Sequence, residues 1–281
     1  MLASALALLR DARDGGYALG AFNVYNLEGV RAVLAAAEAE RSPAILQLHP
    51  RAIAHGGHGL VVLCGSAAEQ AAVPVAVHLD HASTLAEIHT ALSAGLTSVM
   101  ADASHLSYAE NVAFTRAATE LVHRHEAAVE AELGRLTGDE DSLSVPEYES
   151  RLTDPGQAAD FVRETGIDSL AVCIGNAHGR TETPPSLDFE RLVDLREAVT
   201  VPLVLHGASG LAEEQVRRSI ELGVCKFNVN TELREAYLAM LKEGVAGEHA
   251  PDLVALLEGA TAAMQGVVMG KLRLFGSSRR A

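Results

Sequence analysis

The stretch Val77-His78-Leu79-Asp80-His81 sets two imidazoles and a carboxylate at the end of an apolar strand pattern. Such a group suits a divalent metal with a proton acceptor beside it, because neutral imidazole nitrogens ligate zinc and an ionised carboxylate takes protons. His178 and His206 also close short apolar runs far along the chain. His81, His178 and His206 therefore form a candidate three-histidine metal set, a ligand number that leaves a catalytic zinc one open position for substrate. His78, alternating with Leu79, either orients a neighbour through a hydrogen bond or packs.

Residues so far apart in sequence need a fold that gathers them. Short β-branched or apolar runs alternate with alanine-rich amphipathic stretches, the pattern of βα units around a parallel sheet. The runs are Gly20 to Val24, Ala44 to Leu48, Val75 to Leu79, Ser98 to Ala101, Ala128 to Glu132, Ser169 to Ile174, Leu203 to His206 and Lys226 to Val229, eight in all. Apolar residues at helical spacing mark Leu27 to Glu40, Thr84 to Ala94, Tyr108 to Glu126, Asp188 to Ala198 and Glu213 to Leu222. The pattern predicts an α/β fold, a single TIM (β/α)8 barrel domain over residues 1–281 with a C-terminal helical tail over about 245–281. Pro43, Pro74 and Pro202 each precede a strand run, where a missing backbone donor does least harm. Gly134 to Pro155 breaks the rhythm and reads as a mobile acidic loop without sustained structure, over about 134–155.

A barrel gathers its chemistry at the carboxyl ends of the strands. The polar residues there are Asn23, His49, Asp80 with His81, Asp102, Glu132, Asn176 with His178, His206, and Asn228 with Asn230. Gly179, the run Gly207-Ala208-Ser209-Gly210, and Asn228 to Thr231 follow the last three strands. Small residues there expose backbone N–H groups, and barrels often hold phosphate at the loops after the seventh and eighth strands. The acidic run Gly138-Asp139-Glu140-Asp141, taken alone, reads as a solvated turn.

The formal net charge of -15 excludes nucleic acid and anionic membrane as expected partners, since no basic block offsets the acidic residues. Cys64, Cys173 and Cys225 are far apart in apolar runs, which fits buried thiols in a reducing compartment. No apolar run approaches the length of a membrane span, and the charges after Leu9 argue against a signal peptide, so the cytoplasm is the expected location.

Seven stretches together resemble one family, the class II, zinc-dependent fructose- and tagatose-bisphosphate aldolases. They are AFNVYN from Ala21, HLDH from His78, MADASH from Met100, VEAELGRLTGDED from Val129, SLAVCIGNAHG from Ser169, PLVLHGASG from Pro202 and KFNVNTEL from Lys226. They fall in order and cover nearly the whole chain. The resemblance implies that His81, His178 and His206 hold one catalytic Zn2+ per subunit. It implies that Asp80 is the acid/base at the C4 hydroxyl, that Glu140 moves the proton on the dihydroxyacetone-phosphate half, and that Asn228 steadies the enediolate. Gly179, Gly207, Ser209, Asn230 and Thr231 match the 1-phosphate cradle, with Na+ or K+ beside it. Asp102 and Glu132 match positions tied to a second or displaced metal, and a homodimer or homotetramer acting on a sugar phosphate is implied.

Two positions depart from the family pattern. His49 stands where a serine or threonine is usual, and Ala250-Pro251-Asp252 stands where Asp-Pro-Arg is common, putting an acid in place of a phosphate-binding arginine. The expected substrate is fructose or tagatose 1,6-bisphosphate, split to dihydroxyacetone phosphate and glyceraldehyde 3-phosphate. The alternative is a ketose 1-phosphate whose aldehyde half is unphosphorylated or otherwise substituted, met by Asn23, His49, Arg51 or Arg280. A zinc hydrolase would need no phosphate cradle, and a non-catalytic barrel would need none of the acids. A Schiff-base aldolase would need an interior lysine, for which Lys226 is the candidate.

Overall fold

The computed structural model describes residues 1–140, 143–145, 151–179, 185–246 and 252–281, with 137–140 and 143–145 described in backbone only. The chain begins α1 (Ala5–Gly15), β1 (Leu19–Asn23), α2 (Leu27–Glu40), β2 (Ala44–Leu48), α3 (Pro50–Gln70), β3 (Val75–Ala82), α4 (Leu85–Ser93), β4 (Ser98–Ala101), α5 (Tyr108–Arg124) and β5 (Ala128–Leu133). It continues β6 (Thr137–Glu140), β7 (Leu143–Val145), α6 (Pro155–Thr165), β8 (Ser169–Val172), β9 (Ala177–His178), α7 (Phe189–Ala198), β10 (Leu203–Leu205), α8 (Glu213–Glu221), β11 (Val224–Val229), α9 (Thr231–Gly244) and α10 (Leu253–Leu274).

Eight strands close into a parallel barrel in the order β1-β11-β10-β8-β5-β4-β3-β2. Helices cover the outside and side chains fill the inside, so nearly every strand residue is buried and the strands read as apolar runs rather than as alternating patterns. The helices begin where the sequence offers a cap. Thr84 with Glu87 and Ser107 with Glu110 form capping boxes on α4 and α5, and Pro50 and Pro155 occupy the first turns of α3 and α6, where no N–H is needed. Helix α1 seals the amino-terminal end: Ala5, Leu8, Leu9 and Ala12 pack on Leu19, Ala21, Ile45, Ala76 and Cys225.

Two expectations need correction. Residues 134–155 are not wholly a structureless loop. Strand β6 pairs antiparallel with β7 and parallel with β9, so a three-stranded sheet stands beside the barrel. Its strands are too short to show a period in the sequence. The second correction concerns α10, whose 22 residues include an 18-residue window of mean hydropathy 1.5 and so are long and apolar enough to cross a membrane by length and composition alone. It lies against α2 and α9, buries Ala260, Met264, Val268 and Leu272, and pairs Lys271 with Glu232. Those contacts make it an outer helix of the barrel.

Candidate active site and metal centre

At the carboxyl end of β3 the backbone leaves strand geometry. His81 has φ 45°, in the left-handed region, and the register against β4 shifts between Leu79 and Ala82. Regular alternation would send Asp80 and His81 to opposite faces of the wall. The irregularity brings both to the barrel mouth, with His81 Nε2 3.7 Å from Asp80 Oδ1. Holding a non-glycine residue there costs about 1–3 kcal/mol, and such strain concentrates at functional sites.

His178 arrives on β9 rather than on the barrel strand, because β8 ends at Val172. Asn176 organises the intervening turn. Its Oδ1 accepts from Ile174 N–H at 2.8 Å and its Nδ2 donates to the His206 carbonyl at 3.0 Å, which ties the turn to the end of β10. Gly207 makes that closeness feasible: its φ is 69°, and a Cβ there would lie 2.0 Å from the Ala177 carbonyl oxygen. The imidazole centroids then stand 4.8 Å (His81–His206), 5.4 Å (His81–His178) and 6.1 Å (His178–His206) apart. One nitrogen from each lies within 4.8 Å of the others, and His81, Asp102 and Glu132 meet the same test.

Carboxylates lie behind and beside these rings. Asp102 Oδ2 accepts from His81 Nδ1–H at 2.7 Å, while its Oδ1 accepts from Ser104 N–H at 3.0 Å. That leaves His81 Nε2 as the lone-pair nitrogen, 3.0 Å from His206 Nδ1. Burial alone would raise the Asp102 carboxyl, but the hydrogen bond and charge of His81, with Ser104, hold it well below the usual range. Glu132 moves the other way, pushed up to about 8 by burial and by the Asp102 charge. Its Oε2 lacks a hydrogen-bond partner among the described residues and lies 4.0 Å from His206 Nδ1. Burial also lowers the His206 pKa, favouring the neutral ring a metal requires. Convergent imidazole nitrogens with an orphaned buried carboxylate oxygen beside them suit a divalent cation such as zinc.

Asp80 is 1% exposed and is clamped by two amides. Asn23 Nδ2 donates to Oδ2 at 2.9 Å and Asn228 Nδ2 to Oδ1 at 3.2 Å, while Gln47 Nε2 fixes Asn23 from behind at 3.1 Å. His49 caps α3, its Nδ1 accepting from Arg51 N–H at 3.2 Å, and its ring lies 6.5 Å from that of His81. Asn23 and His49 are thus both at the site.

The glycine loops gather on the neighbouring rim. Gly179 has φ 73° and Ser209 is buried. Asn230 precedes α9 without capping it, since its Oδ1 accepts from the Tyr25 hydroxyl at 2.9 Å. The first N–H groups of α9, from Thr231 on, are left without a side-chain cap, an arrangement suited to an anion.

Arg280 is not brought to the site within this subunit. Its guanidinium lies 5.2 Å above the ring of Tyr17, ahead of β1 at the opposite end of the barrel. The tail is fixed there by Arg279 N–H to the Glu40 carbonyl (2.8 Å) and Ala281 N–H to the Arg41 carbonyl (3.0 Å). Asp252 caps α10 through Ala255 N–H at 2.8 Å, which gives the departure from Asp-Pro-Arg a local reason; Ala250 and Pro251 lie outside the described residues. Glu140 ends β6 two residues beyond Gly138, the register partner of His178, and its side chain lies outside the described residues.

Sequence reading passed over Gln47 and Glu130. Both face inward because their neighbours at even spacing do: Glu130 shares parity with Glu132 on β5, and Gln47 shares parity with Ile45 on β2. The available signal is a charged residue, Glu130, and a polar amide, Gln47, each within a buried strand.

A closed (β/α)8 barrel with three histidines and an amide-clamped aspartate at its carboxyl mouth defines a barrel enzyme with a candidate metal centre. Over residues 3–280 the chain matches the family described as fructose-bisphosphate aldolase class-II, and it belongs to that family. It is an aldolase, a carbon–carbon lyase. Among solved structures it is similar to the YdjI aldolase from Escherichia coli K12, at 37% identity and TM-score 0.90 over 100% of both chains. It is also similar to a Coccidioides immitis protein provisionally described as a fructose-1,6-biphosphate aldolase, at 40% identity and TM-score 0.92 over 98% of this chain and 97% of that one. The fructose-bisphosphate aldolase (Fba) from Campylobacter jejuni, 23% identical with TM-score 0.81 over 100% and 97% of the chains, shares the fold.

Proposed function

We propose that the protein catalyses reversible zinc-dependent aldol cleavage of a phosphorylated ketose, releasing dihydroxyacetone phosphate and an aldehyde. The observation that carries this is the juxtaposition of three convergent imidazoles with Asp80, which lies 3.7 Å from His81 and is buried. His81, His178 and His206 would hold the ion, and when bound it supplies Lewis-acid stabilisation of the negative charge that develops as C3–C4 breaks. Asp80, held ready by Asn23 and Asn228, takes the C4 hydroxyl proton. Glu140 exchanges the proton on the dihydroxyacetone-phosphate half, and Asn228 steadies the planar intermediate. Gly179, Gly207, Ser209, Asn230 and the start of α9 at Thr231 take the 1-phosphate, with a monovalent cation, Na+ or K+, beside them. The enzyme works in the cytoplasm as a homodimer or homotetramer.

Fructose and tagatose 1,6-bisphosphate are the first-choice substrates. A specific observation favours a second reading, in which the aldehyde half carries no phosphate. Arg280 sits at the opposite barrel end, Asp252 serves as a helix cap, and the distal rim presents His49. Retro-aldol rates on fructose 1,6-bisphosphate, tagatose 1,6-bisphosphate and fructose 1-phosphate separate these. Comparable kcat/KM with and without the second phosphate supports the second reading, and a strong preference for a bisphosphate removes it. No cleavage of any ketose phosphate overturns both.

A further inference from the structure

We infer that Glu130 and Lys226, buried beneath the site, are positioning residues that select the tautomer of His206 and thereby set how tightly the centre holds zinc. This rests on the metal-centre reading above. Glu130 on β5 and Lys226 on β11 lie two residues before Glu132 and Asn228, so their side chains enter the barrel one layer further from the mouth. Both are essentially without solvent, at 2% and 1% exposure. Lys226 Nζ donates to both Glu130 oxygens, at 3.0 and 2.8 Å, and Glu130 Oε1 lies 2.9 Å from His206 Nε2.

Hydrogen-bond polarity then fixes the ring. An ammonium has only donors, so Glu130 is an acceptor towards Lys226 at both oxygens. An acceptor oxygen 2.9 Å from His206 Nε2 calls for a proton on that nitrogen. His206 Nδ1 must then carry the lone pair. Asn228 Nδ2 lies 3.2 Å from both ring nitrogens and so does not distinguish the tautomers; the Glu130 contact does. At the other ring, Asp102 accepts from His81 Nδ1–H, so two lone-pair nitrogens face each other 3.0 Å apart. Two lone pairs at that distance repel unless a cation lies between or beside them.

A carboxylate behind a ligand histidine fixes its orientation and raises its basicity, and losing such a partner typically lowers metal affinity about 10- to 100-fold. Behind this carboxylate stands a lysine, Lys226. It supplies the counter-charge that a carboxylate with so little water requires. It also gives Lys226 a role other than nucleophile, since its nitrogen is committed to both carboxylate oxygens.

The test uses the full-length protein after removal of metal. Imidazole 15N NMR of the zinc-free protein is expected to show His206 protonated at Nε2 and bare at Nδ1; the opposite tautomer overturns the inference without any variant. Zinc affinity, read by competition with a chromophoric chelator, is expected to fall about 10- to 100-fold in Glu130→Gln, whose amide can donate to Nε2 and reverse the tautomer. The double replacement Glu130→Leu with Lys226→Met removes both charges together, a change buried pairs often tolerate, and is expected to keep native circular dichroism while losing the same affinity. Unchanged zinc affinity in either folded variant overturns the role of Glu130. If the unmodified protein binds no zinc, the metal-centre reading falls first. If His206→Ala loses zinc and the Glu130 variants keep it, only the present inference falls.

Discussion

Replacing Asp80 with asparagine isolates the proposed base, because the shape of the side chain is retained and only the charge and proton affinity change. Asp80 accepts from Asn23 at 2.9 Å and from Asn228 at 3.2 Å, both amide donors. In Asp80→Asn one of those donors must face an amide N–H, so a charge-assisted hydrogen bond worth about 1.5–3 kcal/mol is lost on folding. The effect on rate is expected to be larger. Positioned general acid–base catalysis contributes about 100- to 10,000-fold, so kcat should fall by that factor, or about 3–5 kcal/mol in the barrier. His81 keeps its 2.7 Å hydrogen bond to Asp102 in the variant, so zinc affinity should stay within a few-fold of the unmodified protein. The assay couples dihydroxyacetone phosphate release to NADH oxidation on the best ketose phosphate, with zinc content measured on the same samples. A variant with full zinc and a kcat within about 10-fold of the parent would refute Asp80 as the proton acceptor, since that lies below the range expected of the role.

Three further outcomes are expected. Gly207→Ala should lower Tm by calorimetry well beyond an ordinary surface change, because the residue has φ 69° and its new Cβ would meet the Ala177 carbonyl at 2.0 Å. Tyr25→Phe removes the hydroxyl held by Asn230 at 2.9 Å and should raise KM for the 1-phosphorylated ketose about 2- to 12-fold with less effect on kcat. Burial pushes the Cys64 thiol up to about 12 and the Cys225 thiol up to about 11, so at pH 8 mass spectrometry should find both unalkylated by iodoacetamide in the folded protein and alkylated after denaturation. Because the folded Cys64 pKa lies above the unfolded value of about 8.5, its contribution to stability is complete below that pH and is lost as pH rises towards 12.

The barrel was legible because each strand is covered on both faces, so Ala44 to Leu48 or Ser98 to Ala101 had to be short apolar runs, and the turns between them put polar residues at one end. His81 and His206 could be placed on that rule alone. The rule gives where these residues lie and not the backbone conformation that delivers them. The left-handed conformation of His81, which turns it and Asp80 into the same mouth, leaves no trace in residue types, and neither does the two-residue strand that carries His178. Arg280 was misplaced because position along the chain says nothing about which barrel end the tail covers; its Tyr17 partner and the Glu40 carbonyl decide that. Lys226 is legible as an interior lysine, but its pairing with Glu130 is not, because attention to strand ends ignores the layer below, where an ion pair can act on a ligand from behind.

The most direct measurement is the retro-aldol rate after exhaustive chelation, followed by titration with Zn2+. The three-histidine centre predicts that activity disappears with the metal and returns on adding one equivalent per subunit, and that His178→Ala, which leaves Asp80 and its two amides untouched, neither binds that equivalent nor recovers. Undiminished cleavage by the zinc-free protein, together with covalent trapping of Lys226 by borohydride in the presence of substrate, would contradict it.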